Sequence, residues 1–216
     1  MQKMIGKAGD EERFSDASRH EGRWVQLAHI ISQVTNPLFV ALPTFLLVAL
    51  HTAPDTLHAL LWWAVIVVGI SAVPFVFIMR GVRRGDYTDQ HLSVREQRLI
   101  PLLFGLGCTA VVFLCLLLLQ ASRPLIASMV AILFGGTITL TITRYWKISL
   151  HLVAMAGAVI VLGLVVGPLF YLLSPLVLLV GWARWQVRAH TPLQAFAGTA
   201  LAVGVTVAIF ELLRIF

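Results

Sequence analysis

Arg184 and His190 lie in one short polar stretch between two long apolar runs, an unusual place for either side chain. A guanidinium forms paired hydrogen bonds with phosphate oxygens and keeps its charge at any physiological pH. An imidazole titrates near neutrality and can serve as nucleophile, acid or base. Arginines at the edge of a membrane segment also act as interfacial anchors, so this stretch alone leaves both interpretations open.

Two further polar clusters, REQR at 95–98 and KISLH at 147–151, also border apolar runs. They contribute cations, a hydroxyl and a second histidine: Arg95, Arg98, Lys147, Ser149 and His151. Cationic donors and a hydroxyl are the groups that stabilise charge on a transferring phosphoryl group. Two histidines of opposite protonation state can divide the roles of nucleophile and general acid. The three clusters therefore predict an oxyanion site, provided that the fold brings them together.

The composition predicts a membrane protein. The chain has 216 residues, of which 59% are hydrophobic and only 12% are charged. This balance is typical of polytopic membrane proteins and excludes an ordinary soluble domain. Only helices and closed barrels span lipid, and the apolar runs here have the length of helices. The expected fold is all-α, a polytopic transmembrane bundle of six to seven helices.

The chain divides into a polar N-terminal tail, residues 1–23, and a single transmembrane domain, residues 24–216. Residues 152–182 carry no charge and exceed one span of roughly 20 residues, and a Gly-Pro and Ser-Pro interruption predicts two short helices there. The seven apolar segments are 26–50, 57–79, 101–120, 124–143, the two halves of 152–182, and 192–213.

Seven crossings would place the tail and all three polar clusters on one face of the membrane. Every one of the 16 Lys and Arg residues except Arg123 and Arg214 would lie on that face. The positive-inside rule then predicts that the N-terminus and the site are cytoplasmic, in the plasma membrane of a prokaryote. The net charge of +6 is expected to meet membrane lipids, with no nucleic acid as a partner.

The order of the clusters resembles the three motifs of the type 2 phosphatidic acid phosphatase superfamily of membrane lipid phosphatases. The third family motif, S-R-x5-H-x3-D, corresponds to A-R-x5-H-x3-Q here and keeps Arg184 and His190. The second, P-S-G-H, corresponds to ISLH and keeps Ser149 and His151. The spacing between these motifs fits as well, and the resemblance covers a phosphatase-like core of about residues 80–213.

The first family motif, K-x6-R-P, is the most divergent. Arg98 matches its arginine, His91 stands at the lysine position and Leu99 at the proline position. Arg95 or Lys147 is expected to supply the missing positive charge.

The resemblance implies hydrolysis of a phosphate monoester or diphosphate on a lipid, of the phosphatidate or polyprenyl diphosphate type. It implies that His190 attacks phosphorus to form a phosphohistidine and that His151 protonates the departing lipid oxygen. The phosphate oxygens are expected to contact the remaining donors, which are Arg98, Arg184, Ser149, Arg95 and Lys147. No metal or other cofactor is implied.

Gln194 stands where the family has the aspartate that orients the nucleophilic histidine. Four residues after His190, its amide oxygen can accept a hydrogen bond on the same helix face. It cannot stabilise an imidazolium by charge, and in serine proteases the analogous Asp-to-Asn change lowers turnover by about 10⁴-fold. Asp86 and Asp89 are the nearest carboxylates by topology that could replace it.

Three alternatives remain from the sequence. Gln194 favours a lipid-phosphate-binding or transport protein with weak or no catalysis. The spacing of Asp86 and Asp89 is that of an intramembrane prenyltransferase, which holds magnesium diphosphate on aspartates, although no second loop of this kind is present. The basic residues would only anchor helices if the three clusters did not meet.

Overall fold

A computed structural model of the protein describes residues 22–90, 92 and 94–215, with Arg95 described by its backbone alone. The polar tail expected over residues 1–23 falls outside this description, except that Gly22 and Arg23 belong to the first helix. Within the described residues every regular element is a helix, and the expected helical membrane bundle is confirmed.

Eight helices follow one another in the described part of the chain: α1 Gly22–Val34, α2 Pro37–Thr52, α3 Thr56–Arg84, α4 Leu99–Leu118, α5 Arg123–Tyr145, α6 Leu150–Val165, α7 Ser174–Gln186 and α8 Pro192–Leu212. One π-helical segment, Val67–Ala72, lies inside α3. The 3₁₀ segment Pro168–Leu173 joins α6 to α7.

By length and composition, five described helical units are able to cross a membrane: α3, α4, α5, α8 and the continuous unit Pro168–Gln186. The pair α1 and α2 makes a sixth if it crosses as one bent span. α6 was expected to cross the membrane, but this helix has 16 residues, fewer than the roughly 20 of an ordinary span.

The first apolar segment is two helices rather than the single one expected over residues 26–50. α1 and α2 meet at an angle of 51°. The break lies at Asn36, whose side chain accepts a hydrogen bond of 3.0 Å from the Leu38 N–H and so caps α2. Pro37 lacks an N–H donor and is suited to the first position of a helix. An Asn-Pro pair therefore ends one helix and starts the next.

The break expected within residues 152–182 is confirmed. α6 is followed by Gly167, whose φ of +153° is strained for residues with a side chain. The 3₁₀ segment then begins at Pro168 and passes directly into α7. The chain thus reverses direction, and the beginning of α6 and the end of α7 lie on the same side of the bundle.

A close contact between α6 and α8 fixes the position of the polar residues. α6 packs against α8, α2 and α7. A Cβ atom on Gly198 of α8 would lie 2.8 Å from the carbonyl oxygen of Ser149, which is the residue before α6. Real Cβ atoms do not approach backbone oxygens so closely, so only glycine permits this contact. The glycine therefore holds the start of α6 against the first two turns of α8.

We expect Gly198→Ala to destabilise the protein by about 1–3 kcal/mol, because the methyl group forces the two backbones apart. Thermal unfolding in detergent should show a lower melting temperature. Gly204→Ala on the same helix is the matched control, because a Cβ there has no atom within 4 Å, and it should be neutral or stabilising. An unchanged melting temperature for Gly198→Ala would contradict the close approach.

Candidate functional site

The bundle brings the three polar clusters to one end. Arg98 directly precedes α4, Ser149 directly precedes α6, Arg184 lies in the last turn of α7, and His190 lies just before α8. The charges of Arg98, Arg184 and Lys147 all act on the imidazole of His190. A single cavity of about 320 Å³ is lined by Arg98, His190 and His151. Residues far apart in the sequence therefore share one site.

Arg98 ties two of the clusters together. Its side chain is 1% exposed. Its Nε donates to the Leu92 carbonyl oxygen at 2.7 Å and its Nη1 donates to the Ile148 carbonyl oxygen at 3.1 Å. Hydrogen bonds from a charged donor are stronger than neutral ones. The guanidinium thus fixes the connection before α4 to the residue that precedes Ser149, and it has a structural role besides its charge.

The pair His190 and Gln194 defines the tautomer of the imidazole. The Thr191 N–H, which can only donate, lies 3.2 Å from Gln194 Oε1, so this atom is the amide oxygen. The same oxygen lies 3.1 Å from His190 Nδ1. An oxygen acceptor requires that Nδ1 carries the proton, and in neutral imidazole the lone pair then resides on Nε2. This is the tautomer required for nucleophilic attack through Nε2.

His190 is held in its neutral form. Burial, as the largest cause, and the positive charges of Arg98, Arg184 and Lys147 together lower its pKa to about 3. The hydrogen bond with Gln194 opposes this shift by raising the pKa. Burial disfavours the charged imidazole, and so do like charges nearby. Near neutral pH the side chain is therefore an uncharged base with an available lone pair.

Two buried polar atoms in the clusters have no hydrogen-bond partner among the described residues. They are Ser149 Oγ and Arg184 Nε, on side chains that are 0% and 2% exposed. A buried donor without a partner costs about 1–3 kcal/mol. The first backbone N–H groups of α6 point to the same region, and a helix N-terminus attracts anions. Cationic and hydroxyl donors of this kind are groups from which an oxyanion accepts hydrogen bonds.

His151 is bound to a residue that the motifs did not identify. Its Nε2 lies 3.0 Å from the Ser32 carbonyl oxygen in α1, so the imidazole donates its Nε2–H to that oxygen. Both residues are buried. No local sequence pattern indicates this contact, because 119 residues separate the two partners.

Asp86 and Asp89, the two carboxylates expected near the site, have different surroundings. Burial lowers the pKa of Lys147, as do the charges of Arg98 and Arg184, whereas Asp89 raises it. Asp89 also raises the pKa of Arg98 against the lowering effect of burial. Asp86 is exposed. The Nδ1 of His190 contacts Gln194, so the carboxylates considered as replacements do not occupy that position.

His91 lies outside the described residues, and the side chain of Arg95 is also outside the description. Among the described side chains, no group of three or more His, Cys, Asp or Glu lies close enough to hold a metal ion.

Comparison of the chain with protein-family models, with curated proteins and with solved structures finds no match.

We expect acid to destabilise the protein partly through His190. Between pH 6.5, the ordinary pKa of histidine, and the pKa of about 3 in the folded protein, the unfolded chain binds a proton that the folded protein excludes. The contribution of the neutral His190 to the stability of the folded protein is complete above pH 6.5, and it is lost as the pH falls through this interval. Melting temperatures at pH 7.5 and pH 4.5 should therefore differ less for His190→Gln than for the wild type.

The exposed residue His51 provides the control for the loss of a histidine as such. His51→Gln should retain the wild-type difference between the two pH values. An equal acid-induced decrease in His190→Gln and in the wild type would contradict a buried, neutral His190.

Proposed function

We propose that the protein is a membrane enzyme that hydrolyses a lipid phosphate without a metal, through a phosphohistidine at His190. The observation that supports this most strongly is a neutral imidazole, with its Nδ1 hydrogen bonded to Gln194, surrounded by cations. A phosphate is the ligand that such cations favour. Its position beside the apolar bundle suits a substrate whose phosphate lies in the headgroup layer and whose tail lies in lipid.

In the first step, the Nε2 lone pair of His190 attacks phosphorus and the bond between phosphorus and the lipid oxygen breaks. His151, as an imidazolium, gives its Nε2 proton to the departing oxygen, which leaves as an alcohol, and the imidazole keeps its Nδ1 proton. Arg184, Ser149 Oγ and Arg98 stabilise the charge on the phosphoryl oxygens. In the second step, water gives a proton to His151 and its oxygen attacks phosphorus. The N–P bond breaks, phosphate leaves and His190 regains its lone pair.

The contact of His151 adds a condition to this mechanism. Its Nε2–H is hydrogen bonded to the Ser32 carbonyl oxygen. To act as the acid, the imidazole must exchange this acceptor for the ester oxygen of the substrate.

The distribution of basic residues supports a cytoplasmic location for the site, in the plasma membrane of a prokaryote.

A lipid-phosphate-binding or transport protein is the second candidate. It is favoured by the amide of Gln194, because an amide cannot stabilise the positive charge that develops on His190 during attack. Binding requires only the cations and Ser149, whereas turnover also requires both histidines. Release of phosphate therefore separates the two functions.

We expect purified protein with EDTA present to release inorganic phosphate from a lipid phosphate, and His190→Ala to abolish this release because the nucleophile is gone. His151→Ala should slow substrates with poor leaving groups most, because it removes the proton donor. The matched control is His51→Ala, which removes an exposed histidine and should leave turnover unchanged. Undiminished release by His190→Ala, or a strict need for magnesium, would reject the mechanism.

Gln194→Glu tests the orienting contact. Glutamate has the length of glutamine and can accept from both Thr191 N–H and His190 Nδ1–H, and its charge stabilises the imidazolium-like state. We expect a higher turnover number and a higher pKa of His190, measured from the pH dependence of the reaction. Gln194→Leu leaves a buried donor unpaired, at a cost of about 1–3 kcal/mol, and should lower turnover by about tenfold or more. Equal turnover numbers for the wild type, Gln194→Glu and Gln194→Leu would exclude an orienting role for Gln194.

A further inference from the structure

The cavity extends from the polar cluster into the bundle. It has a volume of about 320 Å³ and is lined by Arg98, His151 and His190 at the polar end. Along α4 the lining continues through Pro101 to Thr109. Pro101, Gly105 and Thr109 are four positions apart, and Leu102 and Leu106 lie beside them, so the lining residues form one face of the helix.

The opposite wall belongs to α6, where the lining runs from His151 through Gly157 to Val161. At 1.5 Å per residue, both walls extend about 15 Å from the polar cluster. This distance is about half the hydrocarbon thickness of a bilayer, which is roughly 30 Å. The cavity therefore extends along the helices, with the positive charge of Arg98 at one end.

The walls of the cavity are suited to a hydrocarbon chain, although several lining residues carry hydroxyl groups. Thr44, Thr109 and Ser128 each donate to a carbonyl oxygen four residues earlier in their own helix, at 2.7–2.9 Å. These hydroxyls consequently require no partner from a ligand. Thr139 Oγ1, by contrast, is buried without a hydrogen-bond partner among the described residues. The remaining lining is formed mainly by aliphatic side chains and glycine.

We propose, on the basis of the function above, that this cavity binds the hydrocarbon chain of a single-chain lipid phosphate, with the phosphate at the cationic end. In another protein a cavity of about 150 Å³ takes up one benzene molecule, so one of about 320 Å³ has space for on the order of a dozen carbon atoms. The two acyl chains of a membrane glycerolipid exceed this space. The substrate class is therefore a phosphate or diphosphate on one chain, rather than phosphatidate.

Glycines in the walls allow the cavity to be filled without a clash. A Cβ on Gly105 in α4 or on Gly157 in α6 would have no atom within 4 Å, and both residues line the cavity. Gly107, two positions after Gly105, also has no atom within 4 Å but is exposed on the outer face of α4. Leucine at 105 would occupy the cavity, whereas leucine at 107 would contact lipid.

The experiment compares wild type, Gly105→Leu and Gly107→Leu in phosphatidylcholine nanodiscs. Phosphate release is measured from dodecyl phosphate, butyl phosphate and didodecanoyl phosphatidate. For the wild type we expect a higher kcat/KM with dodecyl phosphate than with the other two. Gly105→Leu should lower the ratio of kcat/KM for dodecyl to butyl phosphate by about tenfold, because the leucine displaces at least two methylene groups. Gly107→Leu should leave this ratio unchanged.

Gly157→Leu fills the same cavity from the opposite wall and should have the same effect if Gly105→Leu does not fold. Efficient hydrolysis of didodecanoyl phosphatidate by the wild type, or equal ratios for all variants, would overturn the proposal.

Binding of radiolabelled dodecyl phosphate separates this inference from the proposed catalysis. If the wild type releases no phosphate from any substrate, the proposed function is wrong, but the cavity is still tested by binding. Loss of binding in Gly105→Leu with retention in Gly107→Leu would support the cavity as the site of the chain. Equal binding by the two variants would reject it.

Discussion

Burial of positive charge at the start of α6 is the constraint on which the site depends. Arg98 and Arg184 are 1% and 2% exposed, and both lower the pKa of half-buried Lys147 in addition to the effect of burial. Like charges in a medium of low dielectric raise the energy of the folded state unless negative charge lies nearby. Asp89 supplies part of that charge, since it raises the pKa of Lys147 and of Arg98. The N-terminus of α6 is itself positive and adds to the demand. An anionic ligand would supply the negative charge that Asp89 alone does not provide.

The start of α6 is fixed by contacts with three other parts of the fold. Arg98 donates to the carbonyl oxygen of Ile148, Gly198 of α8 permits a backbone approach to Ser149, and His151 is bound to Ser32 of α1. These contacts converge on residues 148–151, about one helical turn of chain, so Ser149 and His151 are positioned by the bundle. Rigid support of this kind is what phosphoryl transfer needs, because its catalysis consists mainly of positioning and charge stabilisation.

The features that could be predicted from the sequence depend on local patterns, in which the residues lie a few positions apart. The contact between His190 and Gln194 spans four residues, so the helical period was enough to anticipate it. The break before α7 followed from Gly167 and the prolines around it. The contact between His151 and Ser32 spans 119 residues and has no local pattern, because it depends on how α1 packs. The division of the first apolar segment was missed because hydrophobic length outweighed the Asn-Pro pair at residues 36–37, although this pair is a known helix boundary.

In the proposed mechanism, the cations that bind the phosphate also act, together with burial, to keep His190 neutral, and this links binding to reactivity. Burial, Arg98, Arg184 and Lys147 all lower the pKa of the imidazole in the ligand-free protein. A phosphate dianion between these groups opposes their field, so the nucleophile becomes more basic when its target is bound. In the proposed mechanism, the charge that develops on His190 during attack is then balanced by the substrate rather than by a carboxylate. This gives Gln194 a sufficient role as a neutral acceptor: it fixes the tautomer of His190, while the phosphate and Asp89 provide the negative charge of the site.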